Sequence, residues 1–281
     1  MKQEKLNNKI FQVLSYIIKR ELHPKNSVTF FREIDCSVIE NIRTQYMHHQ
    51  FTKPSYTAFI IKAVSKAIED HPFVNARVFP GFPYSKLFKF PEINTAVACE
   101  KDVPGAEFMA FLDVIKHTDK KSIDQIHREL LNLANANIEN NAQLKSFMQI
   151  IKNCPIFLAR QLCTLPSVVP SLWMKYRGAG IVVSSPSKYG VDGVSATWTH
   201  PLGVSFGLIQ KKPVIRNNKV ESALCFSLTL NWDRRIMAGA PAAKFFNSIA
   251  NNLMDHEFLV SQLEEDINVK IIHTEKIMSI A

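Results

Sequence analysis

The stretch from Cys225 to Asp255 constrains this chain more than any other. It reads "CFSLTLNW", then "DRRIMAG", then "APAAKFFNSIANNLMD". The first segment alternates apolar and polar residues as a strand does, and the last carries apolar residues at helical spacing. A strand that ends, turns sharply and runs into a helix is a common way to present a reactive side chain. Yet the turn holds Asp233, Arg234 and Arg235, with neither nucleophile nor base at its centre. An arginine stays protonated at any physiological pH. A site-shaped turn built around arginines needs an explanation.

The rest of the chain supplies elements of both kinds. "MKQEKLNNKIFQVLSYIIKREL" has the spacing of an amphipathic helix, so residues 1–26 are expected to form an N-terminal helix and its exit. "NSVTFFREID" alternates as a strand, "CSVIENIRTQYMHH" turns to helical periodicity, and "SYTAFIIKAVSKAIEDHP" carries an apolar stripe that stops before Pro72. "LFKFPEINTAVACEKD" reads as two strand segments. "KKSIDQIHRELLNLANANIENNAQLKSFMQIIK" reads as one long helical region capped by Ser122. "GAGIVVSSPSKYGVDG" predicts a buried strand and a polar loop. "GVSFGLIQKKPVIRNNKVESALCFSLTLNW" predicts strand, turn at Asn217-Asn218, and strand, before a final helix. No repeat, low-complexity tract or composition break divides residues 1–281, so one domain is expected.

Charge and cysteines narrow the partners. The formal net charge of +9 suits anionic ligands or a membrane surface. The basic residues are scattered without aromatic interleaving, which argues against nucleic acid. Five cysteines, spread out and without CxxC spacing, imply reduced thiols in the cytoplasm and no zinc site. His48-His49 lack the spacing of a metal site, so no metal is expected. No secretory leader and no spanning helix are expected either.

In order, "VTFFREIDCSVIENIR", "FIIKAVSKAIEDHPFVNA", "INTAVACEKD", "VIKHTDKKSIDQIHREL", "GAGIVVSSPSKYG" and "SLTLNWDRRIMAGAPAAKFFNSIANNLMD" resemble segments of one family. It is the catalytic acyltransferase core of 2-oxoacid dehydrogenase complexes, related to chloramphenicol acetyltransferase. The resemblance runs from about Ser27 to Asp255. It implies an α/β fold, a two-layer sandwich of a mixed sheet covered by helices, and a homotrimer with active sites between subunits. It also implies coenzyme A or acyl-coenzyme A as substrate, a small-molecule thioester as partner, and a free-standing core without a lipoyl attachment site.

The family motif in the turn is Asp-His-Arg-x-x-Asp-Gly. Here the same frame reads Asp233, Arg234, Arg235, Ile236, Met237, Ala238, Gly239. By resemblance Arg234 occupies the position of the histidine that takes the thiol proton. Ala238 occupies that of a second carboxylate that holds the turn, and Ser184 that of the hydroxyl donating to the oxyanion. On spacing alone Ser184 and Ser185 are strand-end serines. Arg235 matches the family's arginine and reads as structural. His200, in "WTHPLG", is the first candidate for a substitute base, although its setting reads as that of a surface histidine. Arg234 in turn has the fork to hold a phosphate or carboxylate.

Residues 150–174 are apolar, broken by Pro155, Pro166 and Pro170, and longer than the link in the complex-forming cores. They read first as an apolar insert packed on the domain or a subunit interface. The functional alternatives are a lid for an acyl chain and a membrane-surface contact. Two functions are therefore expected to compete. One is an acyltransferase with altered or weak transfer; the other is a non-catalytic trimeric scaffold or ligand-binding pseudoenzyme of the same fold.

Overall fold

The computed structural model describes residues 8–101, 103, 110–135 and 142–278. The N-terminal helix α1 (Lys9–Glu21) is capped by Asn8, whose Oδ1 accepts from Ile10 N at 2.9 Å. Strand β1 (Ser27–Asp35) follows, then α2 (Ser37–His48) and α3 (Tyr56–Asp70), the last capped by Ser55. Next come a small hairpin, β2 (Ala76–Phe79) with β3 (Lys86–Lys89), and then β4 (Thr95–Glu100), β5 (Ala110–Ile115) and α4 (Ile123–Asn135).

Helices α5 (Ala142–Asn153), α6 (Ile156–Thr164) and α7 (Pro170–Tyr176) precede β6 (Ile181–Ser184), β7 (Leu202–Phe206), β8 (Gln210–Arg216) and β9 (Lys219–Asp233). The chain closes with α8 (Gly239–Met254) and α9 (His256–Met278).

Seven strands form one mixed sheet in the order β1-β9-β7-β6-β4-β5, with β8 paired to β9. The central pairs β4·β6 and β6·β7 are parallel, and the others are antiparallel. The β8–β9 hairpin turns at Asn217-Asn218, both with positive φ (49° and 59°), as a two-residue turn with the twist of the strands requires.

Helices α2, α3, α4, α8 and α9 cover one face. Helix α3 is buried on nearly every side, between sheet, α4 and α8. Its one buried cation, Lys62, donates to the carbonyls of Asp119 and Lys121 at 2.9 and 2.8 Å, which offsets the cost of burial. This is the two-layer α/β arrangement expected from the sequence.

One local expectation changes, that of the last helix. The 120–152 region is helical where it is described, in α4 and α5, and residues 136–141 between them lie outside the described residues. Ser122 does cap α4, reciprocally with Gln125, each backbone amide meeting the other's side chain. And α8 is not the final helix. Helix α9 follows, anchored by Leu259, Leu263 and the buried Asp266. The Asp266 carboxylate accepts from Tyr46 on α2, and from the Ser122 hydroxyl and Asp124 amide at the start of α4.

Within 150–174, α6 packs on α1 through Val13, Ile17, Ala159 and Cys163, while α7 buries Trp173 against Phe79 and Phe90. The outer face of α6 leaves Phe157 69% exposed, beside Leu158, Leu162 and Leu165. No helix among the described residues is long and apolar enough to cross a membrane.

Candidate functional site

The motif turn is held by backbone and by one ion pair. Strand β9 ends at Asp233, whose amide donates to Pro201 O at 2.9 Å; the Arg234 amide donates to Asn26 O at 2.8 Å. The Asp233 carboxylate accepts the Arg235 amide at 3.0 Å and the Arg235 Nε at 2.9 Å. That pairing raises the Arg235 pKa further and fixes the turn, which makes Arg235 structural. Two residues earlier, Asn231 accepts from Ser27 Oγ at 2.6 Å and donates to Thr29 Oγ1 at 2.9 Å, tying β9 to β1.

Arg234 is placed differently. Its side chain is exposed, and its guanidinium has no hydrogen-bond or ion-pair partner among the described residues. Ala238 is the N-cap of α8, with extended φ −79° and ψ 172° and no side-chain cap. A carboxylate at such a position accepts from first-turn amides and faces the positive end of the helix dipole.

Ser184 lies elsewhere. It ends β6 beside Ser205 of β7, which in turn pairs with Thr229 of β9. The motif begins at Asp233, four residues further along β9, or about 13 Å at the usual strand rise. Within one chain, therefore, Ser184 and Arg234 stand at opposite ends of the sheet. The Ser184 hydroxyl has no partner among the described residues, whereas Ser185 Oγ donates to Phe206 O at 2.9 Å.

His200 is not a surface histidine. It is 4% exposed, its Nδ1 lies 3.3 Å from Thr199 Oγ1 and its Nε2 3.5 Å from Arg177 O, and its ring packs edge-on against Trp173. Burial first, and then the charges of Arg77 and Arg177, push its pKa down to about 3. At neutral pH it is uncharged and a poor proton acceptor. The setting in "WTHPLG" reads as that of a surface histidine, but Pro201 and His200 tuck beneath the turn instead.

A small pocket under the turn, of about 20 Å³, is lined among others by Glu21, His23, Arg77, Trp198, His200 and Asp233. That is room for about one water. Arg77 stacks on the Trp173 ring at 3.7 Å and donates to Thr199 O at 2.7 Å; Glu21 pairs with Arg177 at 2.8 Å. His23 is the residue that reading along the sequence missed. It leaves α1 far from the motif in chain order, and only the β1·β9 pairing brings it to Asp233. Its pKa is lowered by burial, then by Arg235 and Arg77.

Comparison with known proteins agrees with this architecture. Residues 12–150 and 174–261 match the family described as 2-oxoacid dehydrogenases acyltransferase (catalytic domain), and the match breaks across most of the apolar 150–174 segment. The dihydrolipoyllysine-residue acetyltransferase component of the pyruvate dehydrogenase complex of Rickettsia prowazekii is 25% identical over 251 residues, covering 86% of this chain and 52% of that protein. The chain thus spans about half the length of the curated relatives it matches.

Among solved structures, a probable dihydrolipoamide acetyltransferase from Listeria monocytogenes superposes with a TM-score of 0.62 at 20% identity, covering 91% of this chain and 94% of that one. The Azotobacter vinelandii dihydrolipoamide acetyltransferase, studied for a serine, a histidine and an asparagine in its catalytic mechanism, gives 0.67 at 17% identity, covering 92% and 94%. The family match takes in well over half of the chain, and the chain belongs to the 2-oxoacid dehydrogenase acyltransferase family, whose catalytic domain it carries.

Proposed function

We propose that this chain is a coenzyme A-dependent acyltransferase-family protein whose acyl transfer is altered or weak because Arg234 stands where the proton acceptor belongs. One observation carries the reading. The turn is held by Asp233, Arg235 and the Asn26 carbonyl, yet the side chain it presents is a guanidinium with no partner among the described residues.

In the reaction a thiol attacks a thioester carbonyl and a base takes its proton. The tetrahedral oxyanion accepts the Ser184 hydroxyl, and collapse expels the second thiolate, which recovers the proton. Arg234 cannot take that proton. It can favour the thiolate by charge, but the thiol must first ionise to bulk water, and only a few per cent of a free thiol is ionised at pH 7.

With acetyl-coenzyme A and dihydrolipoamide, turnover is expected well below the usual enzyme range of about 1 to 10³ per second. It should rise about tenfold per pH unit from 6 to 8, because the thiolate fraction does so below the thiol pKa. A turnover within that range, or an inflection near pH 6.5 typical of a histidine base, would overturn the reading.

A homotrimer is part of the proposal. Ser184 and Arg234 are too far apart in one chain to serve one thioester, so two copies must supply the site. Light scattering should give three chains per particle at micromolar concentration; a clean monomer refutes this. Arg234 in the base position, with His200 buried and neutral, supports the rival reading, a non-catalytic trimeric scaffold or ligand-binding pseudoenzyme. Any membrane-surface contact would use the apolar outer face of α6 around Phe157.

A further inference from the structure

The positive charge of the chain is not spread evenly. Residues 8–22 and 142–177, which hold α1, α5, α6 and α7, carry eight Lys and Arg against a single acid, Glu21, and so supply +7 of the net +9. The remainder is almost balanced, with 26 basic residues against 24 acidic. Glu21 is itself buried and paired with Arg177, so the exposed charges of these four helices are all positive. A concentration of one sign on one part of a surface attracts an anionic partner.

The same helices expose apolar side chains. An open groove between α1 and α5 is lined by Ile10, Met148 and Ile151 together with Lys9, Lys145 and Lys152. None of these lysines has an ion-pair partner among the described residues. On α6, Arg160 donates to Gln12 at 3.2 Å and Gln161 to Tyr16 at 3.3 Å, while Arg177 joins Glu21 to the Cys163 carbonyl. Helix α6 therefore runs beside α1 in the same direction, and its first turn, with the exposed Phe157 and Leu158, lies at the Lys9 end. Leu162 and Leu165 continue the exposed apolar strip.

We propose that the face formed by α1, α5 and α6 docks on an anionic phospholipid bilayer. Phe157 and its apolar neighbours enter the boundary between headgroups and acyl chains, and Lys9, Lys145 and Lys152 meet lipid phosphates. Exposed apolar side chains beside cations without partners are the combination with which an amphipathic helix lies in a membrane interface. A second copy of the chain is the poorer occupant, since a two-fold contact through this face sets like charges against each other. The contact is peripheral, because no helix among the described residues is long and apolar enough to cross a membrane. It needs no chemistry at the motif turn and holds whether or not acyl transfer takes place.

The test is co-sedimentation of the whole chain with vesicles of phosphatidylcholine, alone or mixed equally with phosphatidylglycerol. The chain should pellet with the anionic vesicles only. It should be released as salt rises from about 0.1 to about 1 M and the screening length falls from about 10 to about 3 Å. Each lysine near an anionic leaflet tightens partitioning about fivefold, so Lys145→Ala with Lys152→Ala should weaken it about 25-fold. Phe157→Ser should weaken it about tenfold through the lost apolar transfer. Lys211→Ala with Lys219→Ala, exposed on the β8–β9 hairpin, should leave it unchanged. All these positions are exposed, so urea midpoints should stay with the parent.

Failure to pellet with anionic vesicles overturns the proposal, and an acidic protein would then be the partner of these lysines. Pelleting that the hairpin pair weakens as much as the α5 pair, or that Phe157→Ser leaves untouched, also overturns it, since either is adsorption by net charge alone. A Phe157→Ser particle of lower mass by light scattering would make the strip a subunit contact, which overturns it too.

Discussion

Arg234→His combined with Ala238→Asp is expected to raise acetyl transfer from acetyl-coenzyme A to dihydrolipoamide by about 10²- to 10⁴-fold over the parent chain. That is the usual contribution of a positioned general base. The turn needs no rebuilding, since its backbone is fixed by Asn26, Pro201 and the Asp233–Arg235 pair. Histidine at 234 displaces no partner, because the Arg234 guanidinium has none among the described residues.

The second substitution works through a neighbour. At the N-cap of α8, an aspartate should hold the first-turn amides and steady the loop that carries the new imidazole. It should also add about 1 kcal/mol to stability, readable in a urea melt independently of activity. Arg234→His alone should recover much less, since a base misplaced by about 1 Å can cost around 100-fold. Adding Ser184→Ala to the double variant should remove about 10²- to 10³-fold again, through the lost oxyanion donor. A double variant that gains the cap's stability but no activity would mean that function was lost beyond the motif, and the non-catalytic reading would then hold.

What the sequence revealed and what it hid follow from how local each signal is. The Asn217-Asn218 turn, the Ser122 cap, the β9–α8 turn and the buried stripe of α3 are each set by residues within a few positions of one another, and each was legible. Helix α9 was not. Its sequence mixes charged, polar and apolar residues without a clear stripe, and it is held by Leu259 and Leu263 together with a carboxylate, Asp266, bonded to α2 and α4.

The candidate site divides the same way. The family frame put Arg234 and Ala238 in one turn; in the structure Arg234 follows the end of β9 and Ala238 is the N-cap of α8. The depth of His200 and the approach of His23 to Asp233 depend on strand pairings that no local pattern encodes.

Between pH 6.5 and pH 4 the folded chain is expected to lose about 3 kcal/mol of stability through His200 alone. The unfolded histidine takes up a proton near pH 6.5, while the folded one resists until about pH 3. Within that window the unfolded state binds more protons, so stability falls as pH falls, by about 1.4 kcal/mol per pH unit. The cause is geometric. The ring is sealed against Trp173, the guanidiniums of Arg77 and Arg177 are its nearest charges, and its polar neighbours are the Arg177 carbonyl and the Thr199 hydroxyl.

Other groups titrate in the same range. His23 and His127, also lowered by burial, act in the same direction, while the buried Asp266, whose pKa is raised by burial, acts in the opposite one. Urea midpoints from pH 4 to 7.5 should therefore be compared between the parent and two variants, His200→Gln and His200→Phe. Both should be less stable at pH 7, and both should show a slope against pH shallower by about one proton.

Parallel curves would mean that His200 protonates as readily folded as unfolded, and that water or a neighbouring subunit reaches it. If the slope does change, His200 is neutral wherever the protein is folded at ordinary pH. It then sits uncharged beneath the motif turn, and the proton of the attacking thiol has to be taken elsewhere.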